Sequence, residues 1–169
     1  IFISPEENSG LPVTIDIPGE LLTISADLPA DTSTPFRTLT SALPPHVVSY
    51  TKCSSADRYG ASVISPSGPV NSIYRTNIDG IGIKVRRNNG AGSFTFLPYS
   101  GSAYPGESAR LVFRQQSYYT VDFFKTAETL KLTPNQVNTV VNSGELAYVW
   151  VLNDSPASYA QKLTIGNIT

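Results

Sequence analysis

The sequence predicts an all-β domain, a β-sandwich with Greek-key connections, on three observations: short segments of alternating side chains, frequent turn residues between them, and little that suits a helix. The 13 prolines and 12 glycines cut the chain into pieces of about five to seven residues, the length of a strand. Val13-Thr14-Ile15-Asp16-Ile17 alternates strictly, as a half-buried strand must when successive side chains point to opposite faces. Pro18-Gly19 punctuates it.

The remaining strands are expected at Val47 to Thr51, Ala61 to Ile64, Ile81 to Arg86, Ser93 to Leu97, Leu111 to Phe113, Tyr118 to Thr126, Leu146 to Leu152 and Ala160 to Ile165. Turns are expected at Ser65-Pro66-Ser67-Gly68-Pro69, at Asn88 to Gly92 and at Tyr104-Pro105-Gly106. Asn89-Gly90 between two alternating runs predicts a hairpin, because both residues tolerate positive φ. Leu146 to Leu152 is apolar on both faces and reads as a buried central strand. One helical turn is expected from Thr133-Pro134-Asn135-Gln136, with Thr133 as N-cap, and Gly144 closing it.

A length of 169 residues suits one domain spanning 1–169 with a real core. Lys+Arg 12 against Asp+Glu 13 leaves no basic field, which sets aside nucleic acid and anionic membrane as partners. No apolar run approaches the about 18 residues of a membrane helix. Ile1-Phe2-Ile3-Ser4-Pro5 lacks the pattern of a signal peptide, so the chain reads as cytosolic or already processed. The single cysteine, Cys53, leaves the compartment open and reads as a buried apolar residue or as half of a disulfide with a partner elsewhere.

Catalytic readings fail. His46 is the only histidine, no GxSxG elbow accompanies it, and Cys53 at seven residues' distance has no spacing logic as its partner. Zinc lacks ligands, no DxDxDG-type calcium loop is present, and no phosphate-binding glycine pattern follows a strand. The expectation is therefore no enzyme, no metal and no cofactor. What remains is two polar and aromatic loop clusters after strands: Cys53 to Tyr59, with Asp57, Arg58 and Tyr59, and Asn153 to Tyr159, with Asn153, Asp154 and Tyr159. Carboxylate and carboxamide groups serve sugar hydroxyls, and a tyrosine ring offers a flat face to sugar C–H groups.

Four stretches carry a resemblance to a known family. Ile73-Tyr74-Arg75-Thr76-Asn77-Ile78-Asp79-Gly80-Ile81-Gly82-Ile83 resembles the Thr-Asn-x-x-Gly-Ile-Gly strand entry of fimbrial adhesins and pilins. Tyr118 to Thr126 is similar to their strand ending in Lys-Thr-Gly, with Ala127 in place of the glycine. Tyr99-Ser100-Gly101-Ser102-Ala103-Tyr104-Pro105 and Ser143 to Leu152 resemble two stretches of the mannose-binding adhesin of type 1 fimbriae. The chain thus looks like the N-terminal receptor-binding (lectin) domain of a chaperone-usher fimbrial tip adhesin.

That resemblance implies an elongated sandwich of immunoglobulin-like, jelly-roll-like topology, attached to a fimbrial tip outside the cell after secretion through the periplasm. It implies a host or surface glycan or glycoprotein receptor, and, in the full-length protein, a pilin domain, a periplasmic chaperone, an outer-membrane usher and fimbrial subunits as partners. It places Asp57 and Tyr59, and Asn153 and Asp154, where the mannose-binding adhesin holds its sugar. The family cysteine at the place of Cys53 usually pairs near the N-terminus, where this chain has Ile1-Phe2-Ile3. The alternatives are a structural pilin and a protein-binding, extracellular-matrix module, the latter with Tyr118, Tyr119, Phe123 and Phe124 as candidate contacts.

Overall fold

The computed structural model describes residues 2–3, 11–65, 68–103 and 110–169. It is built almost wholly of strands in three open sheets. One five-stranded sheet runs in the order β2 (Val13–Ile17), β13 (Tyr159–Ile165), β12 (Gly144–Val151), β5 (Arg58–Val63), β9 (Tyr99–Ser102). A second has the order β3 (Arg37–Thr40), β11 (Tyr118–Lys125), β7 (Ile81–Asn88), β6 (Tyr74–Arg75), with β8 (Phe94–Phe96) also on β7. A small third sheet joins β1 (Phe2–Ile3), β4 (Val48–Thr51) and β10 (Leu111–Phe113). Strands distant in sequence lie side by side, as in Greek-key sandwiches.

All ladders are antiparallel except β2 on β13, which is parallel from Val13↔Gln161 to Ile17↔Ile165. The alternation of β2 does what the sequence requires: Val13, Ile15 and Ile17 are buried, Thr14 and Asp16 exposed. The core unites both large sheets and includes Phe113, Phe123, Leu97, Leu163 and Ile168. Each such side chain contributes about 1.5–3 kcal/mol on burial. One polar link crosses it: the Tyr119 hydroxyl of β11 donates to Gln161 Oε1 of β13 at 2.6 Å, with both groups buried.

The aromatic residues of β11 belong to this core. Tyr119, Phe123 and Phe124 are buried, and only Tyr118 is partly open, so they offer no broad binding face. The outer side of β11 is closed by cations. Arg86 grips Asp122 through Nε at 2.8 Å and Nη2 at 3.2 Å. Lys84 Nζ lies over both Phe96 and Phe124, 5.0 and 5.2 Å from the ring centroids.

The Asn89-Gly90 hairpin forms between β7 and β8, but as a longer turn closed by the Asn89 amide donating to Ser93 O at 3.0 Å. Asn89 acts through its side chain, whose Oδ1 accepts from the amides of Ala91 and Ser93. Gly90 and Gly92 take the positive φ. At Gly90 a Cβ would meet the Gln116 carbonyl oxygen at 2.5 Å.

The expected helix at Thr133 is absent. Asn138 captures that backbone instead, accepting from the Thr133 amide at 2.7 Å and donating to the Thr133 and Gln136 carbonyls, while Asn135 adopts φ 58. Side-chain hydrogen bonds of this kind compete with helix. The one described helical piece is a 3-10 turn, Pro156–Ser158. The turn expected at 104–106 and the centre of that at 65–69 lie outside the described residues.

Cys53 is a buried thiol, 3.7 Å from the Tyr50 carbonyl. Desolvation pushes its pKa up, which makes it an unreactive packing residue. β1 runs beside it, with Phe2 opposite Thr51.

Candidate functional site

The ends of four strands bring the two loop clusters together. Val151 of β12 pairs Tyr59 of β5, and Arg58 pairs Ser102 of β9. Beyond those pairs the Leu152 amide donates to the Arg58 carbonyl at 2.7 Å, and the Ala103 amide to the Asp57 carbonyl at 2.8 Å. Loops 53–57 and 152–158 therefore emerge side by side at one end of the sandwich.

Each loop is closed by its own polar residues. Asp57 Oδ2 accepts from the Ser54 amide at 2.8 Å, and the Asp57 amide donates back to the Ser54 carbonyl. Asn153 Oδ1 accepts from the hydroxyls of Ser155 and Ser158 at 2.7 and 3.0 Å. Asp57 and Asn153 thus brace loops, the turn-forming habit of these residues.

Asp154 is exposed and lies against the Tyr148 hydroxyl. Burial, and then the hydrogen bond and negative charge of Asp154, push the Tyr148 phenol up to about 12. Tyr148 stacks on Tyr159 with ring centroids 4.2 Å apart and planes 19° off parallel.

Strand alternation divides the expected residues between two faces. Arg58 is exposed on the outer face. Tyr59 turns the other way, edge-on to Tyr99 and Phe113 at 6.1 and 6.3 Å. The expected set is therefore not one surface: Arg58, Asp154 and Tyr159 share the outer face, Tyr59 lies behind it, and Asp57 and Asn153 hold the loops.

Two residues of the outer face were missed. The sequence reads β12 as buried on both sides, and Ala147, Val149 and Val151 are buried on the core side, but on the other face Leu146 alone is buried while Tyr148 and Trp150 are half-buried and Leu152 is 46% exposed. The Trp150 indole lies flat across Gly60, where an added Cβ would come within 2.5 Å of Trp150 Cζ2. Trp150, Tyr148 and Tyr159 together make an aromatic platform rimmed by Arg58 and Asp154. The available signal was the Tyr148-Val149-Trp150 alternation leading directly into a polar loop.

A cavity of about 570 Å³ lies elsewhere, beside β6 and the start of β7, and is lined in part by Tyr74, Arg75, Asp79 and Lys84. It is shaped by the stretch that carries the family resemblance. Thr76 Oγ1 donates toward the Ile78 and Ile81 carbonyls, Gly80 has φ 95, and Gly82 admits Ile73 where a Cβ would stand at 2.5 Å. A second, apolar groove of about 340 Å³ is lined by Leu21, Leu22, Phe36, Leu132 and Val137 among others. Among the described residues no three His, Cys, Asp or Glu side chains gather as a metal site, and no helix is long and apolar enough to cross a membrane.

Residues 37–133 match the family model of the MrkD-like receptor binding domain. In fold, the chain is similar to the receptor binding domain of the plasmid-born adhesin MrkD1P of Klebsiella pneumoniae, with TM-score 0.53 and 20% identity over 93% of this chain and 86% of that one. Weaker likenesses are the CupB6 tip adhesin of Pseudomonas aeruginosa, with TM-score 0.43, 15% identity, and 95% and 42% of the two chains covered. The Proteus mirabilis ambient temperature fimbriae adhesin AtfE follows, with TM-score 0.45, 13% identity, and coverage of 93% and 96%. No curated protein sequence matches.

Proposed function

The chain belongs to the MrkD-like receptor-binding domain family, a family of adhesin domains that bind and do not catalyse, and from that premise we propose that it attaches a fimbrial tip to a carbohydrate receptor. The whole of 1–169 serves as one receptor-binding unit, displayed outside the cell. Its host or surface glycan docks on the end where loops 53–57 and 152–158 meet. In the full-length protein a pilin domain, periplasmic chaperone, usher and fimbrial subunits are the assembly partners.

One observation carries the sugar reading. The aromatic platform of Trp150, Tyr148 and Tyr159 stands open beside a carboxylate, Asp154, and a guanidinium, Arg58. A flat π face takes the apolar side of a sugar ring while charged groups at its rim take hydroxyls. Asp57 and Asn153 act by holding the loops that frame it.

A glycan array probed with the domain tests this. The expected result is binding to a restricted set of glycans, weakened about tenfold or more by Trp150→Ala and by Asp154→Ala, since each lost hydrogen bond to a ligand costs about 1–3 kcal/mol. Asp57→Ala weakens it less, through loop order. Absence of binding at high protein density, or binding indifferent to all three substitutions, would overturn the proposal.

A protein receptor is the second reading, favoured by the cavity of about 570 Å³ with Arg75 and Lys84 on its walls. Retention on immobilised matrix protein, lost in Lys84→Glu and kept in Trp150→Ala, would select it.

A further inference from the structure

A third cavity, about 280 Å³, opens between the β5–β9 edge of one large sheet and the β7–β8 hairpin of the other, and its wall contains Arg87. Arg86 and Arg87 are neighbours on β7 and point to opposite faces. Arg86 is neutralised by Asp122. Arg87 has no carboxylate among the described residues. Its Nη2 donates to Ser117 Oγ at 3.3 Å, its guanidinium lies over the Phe113 ring at 5.3 Å, and its charge faces the phenols of Tyr99 and Tyr119. All of these partners are neutral. Arg87 Nε is buried with no acceptor at all.

Guanidinium keeps its charge at any working pH. A half-buried cation left with neutral partners is costly, and a charge of opposite sign in the adjoining cavity offsets that cost. The remaining walls describe what carries that charge. The cavity lining contains no Asp or Glu. Tyr59 and Tyr99, edge to face at 6.1 Å, supply aromatic surface, and Ser93 and Thr95 supply hydroxyls that donate or accept. The volume stands at the lower end of the about 300–1,000 Å³ of ligand pockets, which suits a single sugar ring.

We propose that this cavity is a second binding site, distinct from the outer-face platform, and that it takes an acidic monosaccharide unit, with the carboxylate on Arg87 and the ring against Tyr59 and Tyr99. A planar carboxylate matches the guanidinium fork in a way that a neutral sugar does not. The two sites lie on opposite sides of β5, so one extended acidic glycan or two separate ligands reach them independently.

Calorimetric titration of the domain with glucuronate, methyl glucoside and acetate tests the site. Glucuronate saturates it, and the neutral glycoside and free acetate bind at least about tenfold more weakly. Arg87→Gln abolishes glucuronate binding, whereas Arg114→Gln, which removes an exposed cation elsewhere, leaves it intact. Thermal unfolding of each variant reports folding. Should Arg87→Gln fail to fold, Thr95→Tyr, a change at an exposed position opposite Arg87 on the β7–β8 ladder, blocks the mouth and carries the same prediction. Equal binding of glucuronate and methyl glucoside, no heat with glucuronate at about 20 mM, or unchanged affinity in both Arg87→Gln and Thr95→Tyr overturns the assignment.

Discussion

β11 and β12 are both eight-residue interior strands of a five-stranded sheet, and both are rich in aromatic residues, yet only β11 is sealed on both faces. The difference lies in what covers the outer face. Over β11, Arg86 closes on Asp122 and Lys84 spans Phe124, while residues 28–31 cap its end, with Lys125 Nζ donating to the Leu28 carbonyl and the Asp31 amide to the Lys125 carbonyl. Long cationic stems spread over apolar surface in this way. Over β12, Lys162 pairs Glu145 beside Tyr148, but among the described residues Tyr148 and Trp150 stay half-open. A central position in a sheet buries one face; a second layer is needed for the other.

The most damaging test of that contrast is Phe123→Ala. Phe123 is 0% exposed and packs against Phe36, so its loss should cost about 3–5 kcal/mol in urea unfolding. A cost below about 1 kcal/mol would show that β11 is not the core strand described.

Alkaline titration sharpens the contrast through tyrosines. Burial raises Tyr119 of β11 strongly above its ordinary value of 10.0, and raises Tyr99 to about 12. A folded-state pKa raised in this sense means stability is fully present below about pH 10 and is lost as pH climbs toward 12. For the partly buried Tyr99 the loss is at most about 2 kcal/mol. On β12, Tyr148 also stands at about 12, but part of its shift comes from Asp154. Asp154→Asn should therefore bring one phenol to titrate earlier, read by phenolate absorbance, without lowering stability at neutral pH. An unaltered titration curve would place Asp154 away from Tyr148.

A small loss of stability is expected for Trp150→Ala, about 1 kcal/mol, since the indole is only half-buried above Gly60. On the proposed function its consequence belongs to receptor binding. A loss as large as that of Phe123→Ala would mean that Trp150 is core and the platform is not a free surface.

Much of the fold was legible because β2, β7, β11 and β13 write their burial into alternation or apolar runs, and turn residues bound them. Strand β3, Arg37-Thr38-Leu39-Thr40, was not, since a single buried Leu39 leaves no pattern. The helix expected at Thr133 failed because the side chain of Asn138, five residues on, binds that backbone in a turn in place of a helix. For the site, loop composition pointed to the right end of the molecule. It did not separate Asp57 and Asn153, whose oxygens are engaged within their own loops, from Asp154, whose carboxylate faces outward to Tyr148. Nor did it reach Arg87, because the asymmetry with Arg86 depends on Asp122, distant in sequence.

The parallel register of β2 with β13 bears on how the domain carries load. The platform sits at the start of β13, and the chain leaves the far end through 166–169, where Ile168 bridges Glu20 on one side and Val141 on the other. If the proposed platform holds the receptor, a pull opposed at residues 166–169 would run along β13 and load its ladders to β2 and β12 in shear. Under pulling, survival is set by how slowly those ladders give way, and a strand locked on both flanks makes a tether that yields all at once or not at all.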